Sequence, residues 1–444
     1  MKIRLKFGKR KTLLGNALIY ILSDGITKAL SFLILPFVSF YLIPEQLGIA
    51  ANFDVLQSIL MLLAGQAIVN ALPYFYYDRS REEIGLLVSN LLFIIIAVNL
   101  CFLIIILLIY GLIDEYLHIG LFLQLLTLIS VIANLLLSIN LILYRLEEKP
   151  FVFLKLQLLQ SLIYVFLLIL LVVCLRKEAL GKIYSAVFSC SIVCLLHIYL
   201  LYKRGYLIWK IDRNSIGELL RFGIPLLPHS LSFWIKSGMD KILLTTFCGL
   251  SVNGLYSMAM SFGAIYSIFK VAFDNAYIPY LQKRISKMTF DNQKAEKKQL
   301  VRISYIISSV FFLLFFVVMF ICWILIQYVL SDLYRDSFQF IPWILFSLTI
   351  YSFYSLVVQY PYTAKKTLGL GIITFSGSII QLLLTFVLVR MLGADGIKYS
   401  LVIGALVTMF SVWWYSNRVY PLPWFSFWNC LLYTSPSPRD RSVS

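Results

Sequence analysis

The run from Gly85 to Gly111, GLLVSNLLFIIIAVNLCFLIIILLIYG, holds no charged residue. About 20 apolar helical residues, rising roughly 1.5 Å each, cross the hydrocarbon of a bilayer. Runs of this length recur along the whole chain, separated by short polar breaks. The chain is 61% hydrophobic and 13% charged, with mean hydropathy +0.88. A soluble domain could not hide that much apolar surface. The runs are of helical length and lack the ten-residue alternation of a transmembrane barrel. Backbone polar groups in lipid must bond within their own segment. The expected class is therefore an all-α polytopic membrane protein.

The polar breaks divide the chain into twelve expected spans between residues 13 and 417. They fall at Pro44, at 78–83, at 145–150 and at Gly393–Gly396, among others. The loops this assigns to one side hold 25 Lys and Arg, against 4 on the other. That asymmetry places both termini in the cytoplasm of a multi-pass cytoplasmic (inner) membrane protein. It also accounts for the net charge of +17 without nucleic acid as a partner. The basic opening MKIRLKFGKRK runs into an apolar stretch with no cleavage site, so it reads as an uncleaved first span.

A basic loop near the midpoint suggests residues 1–202 as one six-helix bundle, 203–218 as a cytoplasmic linker and 219–429 as a second six-helix bundle. A faint repeat agrees: Gly48 and Gly254 each open a span after a short turn, 206 positions apart. Parallel repeats of this kind occur in transporters, with the substrate at the interface. The last residues, 430–444, are polar and rich in Ser and Pro. They resemble translated sequencing-adapter read-through and are set aside, so further helices could follow Asn429 in the native protein.

The chemistry concentrates in RFGIPLLPHSLSFWIKSGMDKILLTT, Arg221 to Thr246. This span carries Lys236, Asp240 and Lys241 at its centre. A bare charge at that depth costs about 2.5–3.5 kcal/mol on insertion scales. The residues thus face a packed interior or a watery cavity. Three acid–base pairs stand at i,i+4 inside spans: Asp24/Lys28, Lys236/Asp240 and Lys270/Asp274, and Asp54 stands alone. Nearly all intramembrane charge lies in spans 1, 2, 7 and 8, the first two of each half. One reading is that the pairs neutralise each other and pin helices together. The other is that the charged helices meet across a central cavity. In that cavity Lys28, Lys236, Lys241 and Lys270 would contact an anionic headgroup, with Asp240 beside them. Asp24 and Asp54 are candidates for a coupling proton or sodium ion. Trp234 and Tyr266 could stack on sugar rings, as could Tyr74, Tyr76 and Tyr77, for which interfacial anchoring is the other reading.

Several classes fall away. The chain has no phosphate-binding G-x-x-x-x-G-K-[ST] loop and no G-x-S-x-G elbow. Loops on the outer side are too short to hold an acceptor for catalysis, so no enzyme activity is expected. The seven cysteines and three histidines show no metal-ligand spacing, and neither metal nor cofactor is expected.

The segments NALIYILSDGITKALSFLILPFVSFYLIPEQLGIAANFDVL and RFGIPLLPHSLSFWIKSGMDKILLTTFCGLSVNGLYSMAMSF carry a family resemblance. Gly223, Pro225, the Asp240–Lys241 pair and Gly254–Leu255–Tyr256 follow a G-x-P, D-[RK], G-x-Y pattern, and Arg145 and Lys149 sit where a basic loop recurs. From about Gly15 to Arg418 the chain resembles the polysaccharide-type (Wzx-like) flippases of the multidrug/oligosaccharidyl-lipid/polysaccharide exporter superfamily. The resemblance implies two six-helix bundles in a V around a cationic cavity. It implies movement of an undecaprenyl-pyrophosphate-linked oligosaccharide, an O-antigen, capsule or exopolysaccharide unit, from the inner to the outer leaflet. Asp24, Lys28, Lys236 and Asp240 would then be cavity residues, and the polymerase and glycosyltransferases of the same pathway possible partners. Lys241 stands where the pattern often has arginine; lysine keeps the charge but loses the bidentate fork. A cation-coupled multidrug exporter of the same superfamily is the alternative, although the four intramembrane aspartates do not outnumber the lysines. A membrane glycan-modifying enzyme is a further alternative.

Overall fold

The computed structural model describes residues 19–20, 22–30, 32–286, 293–364 and 366–425. The basic opening residues, the start of the first span, Lys365, residues 287–292 and the 430–444 segment lie outside the described residues.

Among the described residues every regular element is helical. The first half comprises α1 (Leu22–Tyr41), α2 (Pro44–Tyr76), α3 (Arg81–Leu117), α4 (Leu121–Leu146), α5 (Pro150–Cys174) and α6 (Glu178–Lys203). A short amphipathic helix, α7 (Arg213–Gly223), leads into α8 (Leu227–Cys248). Then follow α9 (Leu250–Ser286), α10 (Gln293–Tyr328), α11 (Asp332–Thr363), α12 (Leu368–Leu392) and α13 (Ala394–Val419). Eleven of these are long and apolar enough to cross a membrane. The remaining expected span, α8, is 22 residues long. Its three central charges lower its hydropathy, so it is recognised by length and position instead. Large side chains such as Leu108, Leu195 and Met391 stand exposed on the outer faces, where lipid covers them.

Local chemistry sets the ends and bends. Proline occupies the first turn of α2, α5 and α8, where its missing N–H leaves nothing unsatisfied. Ser80 caps α3 by accepting from the Glu83 amide, and Glu83 reciprocates on the Ser80 amide at 2.7 Å. Midway, α2 is broken by a π-turn at Leu62–Gln66, where Gly65 adopts φ +144°.

Alternation of the spans gathers Arg79, Arg81, Arg145, Lys149 and Arg204 at one end, the basic end. At that end Glu147, just past α4, accepts from Lys149 at 2.8 Å, from the Tyr206 hydroxyl at 2.7 Å and from Arg204. Arg79 pairs with Glu218 of α7, and Arg81 donates to the Arg204 carbonyl at 2.7 Å. These bonds dock the segment after α6 onto the first half.

At the far end helices from early and late in the chain share one core. One hydrophobic cluster joins Ile34, Val38 and Leu42 of the first half to Tyr256, Phe262 and Phe340 of the second. Beside it α2 and α9 cross at close range. A β-carbon on Gly254 would strike the Pro44 carbonyl, and one on Gly48 would strike the Leu250 carbonyl. Only glycine lets the two backbones approach this closely. A buried polar knot sits beside the crossing. Asn253 donates to Asn52 at 2.8 Å and to Thr245 at 2.9 Å, and Asn52 donates to the Leu117 carbonyl at 2.8 Å. Asn253→Leu is expected to cost about 1 kcal/mol, since polar contacts between spans are individually modest. Thermal unfolding in detergent reads this as a small lowering of the midpoint.

Candidate functional site

Two cavities that share Leu35 and Ser261 as walls lie where α1, α5 and α9 converge. The first, of about 300 Å³, holds Lys28 among Thr27, Ser161, Phe32 and Ile265. The second, of about 220 Å³, is nearer the far end and holds Asp54 of α2, Lys182 of α6, Lys241 of α8 and Tyr164 of α5. Its remaining walls are mostly apolar, with Ser257 and Ser261 of α9. Lys241 lies within electrostatic range of Asp54, Lys182 and its chain neighbour Asp240, and Tyr164 within range of Asp54.

A third cavity, of about 350 Å³, lies inside the second half. It is lined by Lys236, Lys270, Phe233, Tyr351, Tyr354 and Gln381, among others. The α8–α9 pair separates it from the other two. Lys236 and Lys241 open to different cavities along α8, and Tyr256 and Ser257 do so along α9.

The expected pairs therefore behave differently from one another. Lys270 and Asp274 do pair, at 2.7 Å, and Asp274 also accepts from Ser355 at 3.0 Å. Lys236 and Asp240 do not. Lys236 reaches across to Thr408 of α13 at 3.2 Å and lies 5.2 Å from the centre of the Tyr351 ring. Asp240 is buried and accepts from Tyr256 at 3.3 Å and Thr385 at 3.4 Å. Nor do Asp24 and Lys28 pair, because Asp24 accepts from Gln157 of α5 at 2.9 Å while Lys28 opens to its cavity. Neighbouring helices offered partners that one-helix spacing cannot register.

One ring expectation changes as well. Tyr266 is fully buried, with its hydroxyl 3.3 Å from the Phe311 carbonyl and from Ser352, so it packs and offers no ring to a sugar. Trp234 donates to Ser58 of α2 at 2.9 Å and thereby ties α8 to the first half. Lys182 is the functional candidate that sequence reading passed over. It follows Arg176 and Lys177 and reads as a loop cation, yet α6 begins at Glu178 and carries it into the cavity.

A family described as polysaccharide biosynthesis protein matches residues 13–284, which span α1 to most of α9. The chain belongs to that family. Two curated relatives from Haemophilus influenzae, the Lsg locus putative protein 1 and an uncharacterised membrane protein, are each 21% identical to it. The first match covers 64% of this chain and 69% of the relative, the second 62% and 67%. The fold of this polysaccharide biosynthesis family member is also that of solved exporters. An inward-facing multidrug resistance MATE transporter of the MOP superfamily superposes with TM-score 0.71 at 16% identity, covering 92% of this chain and 96% of the transporter. The lipid II flippase MurJ, in an inward closed conformation, gives TM-score 0.69 at 16% identity, covering 90% and 87%. The expected kinship holds at the level of the polysaccharide biosynthesis family, with a fold shared with these two transporters.

Proposed function

We propose that the protein is a flippase that moves an undecaprenyl-pyrophosphate-linked oligosaccharide from the inner to the outer leaflet of the cytoplasmic membrane by alternating access. Residues 1–202 and 219–429 would act as the two moving halves, with 203–218 linking them and both termini in the cytoplasm. The observation that carries this reading is the placement of Lys28 and Lys241 in adjoining cavities at the junction of the charged helices. Such cavities suit a substrate with an anionic linkage and an apolar tail. The family match and the likeness to a lipid II flippase support it. Lys236, Lys270 and Asp240, in and around the inner cavity of the second half, and Asp24, bonded to α5, would serve conformational coupling. Asp54 would be the carboxylate that exchanges partners as substrate enters and leaves. The polymerase and glycosyltransferases of the same pathway would be its working partners.

The test places a short lipid-linked oligosaccharide in one leaflet of proteoliposomes. Its arrival in the other is followed with an impermeant glycan-oxidising reagent, beside a cationic dye efflux assay. Lys236→Ala and Asp24→Ala should each slow glycolipid movement by about tenfold, the value of one charge-assisted contact, with unchanged membrane insertion. Dye efflux without glycolipid movement would overturn the flippase reading.

A further inference from the structure

We infer that a groove between the segment after α6 and the outer face of the first half holds one acyl chain of an anionic phospholipid, whose headgroup is received by Lys210. The groove shares no lining residue with the cavities of Lys28 and Lys241, and the inference does not rest on the flippase reading.

Residues 206–212, YLIWKID, form a non-helical strap laid along the start of α3. A β-carbon on Gly85 would come within 2.8 Å of the Gly205 carbonyl oxygen and 3.0 Å of the end of the Ile208 side chain. Glycine there lets the strap lie flat on the helix. Two polar side chains of α3 take up the strap's backbone groups. Ser89 accepts from the Ile208 amide at 2.7 Å, and Asn90 accepts from the Asp212 amide at 2.9 Å and donates to the Lys210 carbonyl at 3.1 Å. Backbone bonded in this way can lie at the edge of the hydrocarbon without water. The depth fits that edge, because Asn90 is only about two turns beyond Glu83, the last charge in the first turn of α3. Trp209, 95% exposed, stands there next to Lys210, as aromatic side chains do at a membrane surface.

Beside the strap α3, α4 and α6 enclose a groove of about 430 Å³. Its walls include Phe93, Ile96, Ile132, Leu136 and Ile198. Phe93 and Ile96 are about half exposed, so one side opens to lipid. Ser89 and Asn90 also line it, but their hydrogen bonds are spent on the strap. Water in such a space would find few polar partners, whereas hydrocarbon loses nothing by entering. The volume equals roughly fourteen waters of liquid, the room of one chain and not of a whole lipid.

Charge selects the headgroup. Lys203, Lys210 and Arg213 are exposed at the strap and its two ends, and Arg204 is taken by Glu147. Asp212 is the single acidic residue between positions 203 and 213 and lies within electrostatic range of Lys210. It is committed to capping α7, however, accepting from the Ser215 amide at 2.9 Å and the Ser215 hydroxyl at 2.6 Å. Lys210 itself lines the groove, so its ammonium stands where the phosphate of a lipid seated by its chain would lie.

The experiment reconstitutes the full chain in phosphatidylcholine nanodiscs doped with a lipid brominated on its acyl chains, either phosphatidylglycerol or phosphatidylcholine. Bromine quenches tryptophan on contact, and the part due to Trp209 is the difference from Trp209→Phe. Brominated phosphatidylglycerol should quench that part at about fivefold lower content than brominated phosphatidylcholine, the value of one lysine beside an anionic headgroup. Lys210→Gln should abolish this preference and Lys210→Arg should keep it. Ile96→Phe, placed on the open side where a larger ring strains no core, should fill the groove and weaken quenching by both lipids. Equal quenching by the two lipids in wild type would reduce the site to ordinary lipid contact and overturn the proposal. Preference undiminished in Lys210→Gln would overturn the headgroup contact, and quenching undiminished in Ile96→Phe would place the chain outside the groove. Relief of the quenching by equimolar farnesyl pyrophosphate would overturn the phospholipid in favour of a prenyl chain.

Discussion

Gly254→Leu is expected to reduce transport to background, at least about 100-fold, in a protein that still inserts and purifies as a single species. Even the first carbon added at Gly254 would overlap the carbonyl of Pro44, and the reciprocal addition at Gly48 would overlap Leu250. Both obstacles are backbone, so no side-chain rotation relieves them. The helices must separate, and overpacking of this kind costs about 1–3 kcal/mol, occasionally more. Separation also pulls Asn253 away from Asn52, which breaks the polar knot beside the crossing. The part of the first-half core around Leu87 and Leu135 is built on α3 and α4, away from the crossing, so folding should persist. Function should not, because α2 and α9 carry Asp54 and Ser257 into the lysine-lined cavity. A displaced crossing misplaces the cavity wall. Transport in proteoliposomes and size-exclusion in detergent together check the result. Normal transport by Gly254→Leu would mean that the close approach has no role in the cycle.

The same crossing shows what the sequence could and could not reveal. Gly48 and Gly254 were visible as a faint repeat, because close backbone approach demands a residue type that stands out. The class was visible because bilayer thickness imposes a length on every apolar run. Charge partners were not visible. Spacing on one helix identifies which residues can meet, but Asp24 found Gln157 on α5 and Asp240 found Tyr256 and Thr385 on α9 and α12. Those choices depend on how helices pack, and nothing local encodes them. Lys182 was hidden for a related reason. A third cation after Arg176 and Lys177 looks like loop, and only the start of α6 at Glu178 turns it inward. Tyr266 shows the reverse error, since an aromatic near a charged span looked available and helical register placed it in the core.

Glu147→Ala should give the largest loss of stability among substitutions outside the spans, about 2–3 kcal/mol. The carboxylate joins the end of α4 to the end of α6 through Arg204, and to the following segment through Tyr206. Arg204 is itself held over Tyr144 at 3.9 Å and Tyr206 at 4.8 Å, so it cannot readily turn to solvent when its partner is removed. Burial alone would raise the Glu147 carboxyl above its ordinary value. Hydrogen bonds from Lys149, Tyr206 and Arg204, with the Arg204 charge, outweigh burial and bring it down to about 2. A carboxylate whose folded value lies below its ordinary 4.5 stabilises the fold fully above pH 4.5. That contribution is lost as pH falls toward 2, because the unfolded chain takes up the proton first. Thermal midpoints in detergent should therefore fall across this window in wild type and fall less in Glu147→Gln. Above pH 5 the Gln variant should still sit below wild type, since the amide keeps some hydrogen bonding but not the charge. Parallel pH profiles for the two proteins would show that Arg204 is neutralised elsewhere and that Glu147 does not clamp the basic end.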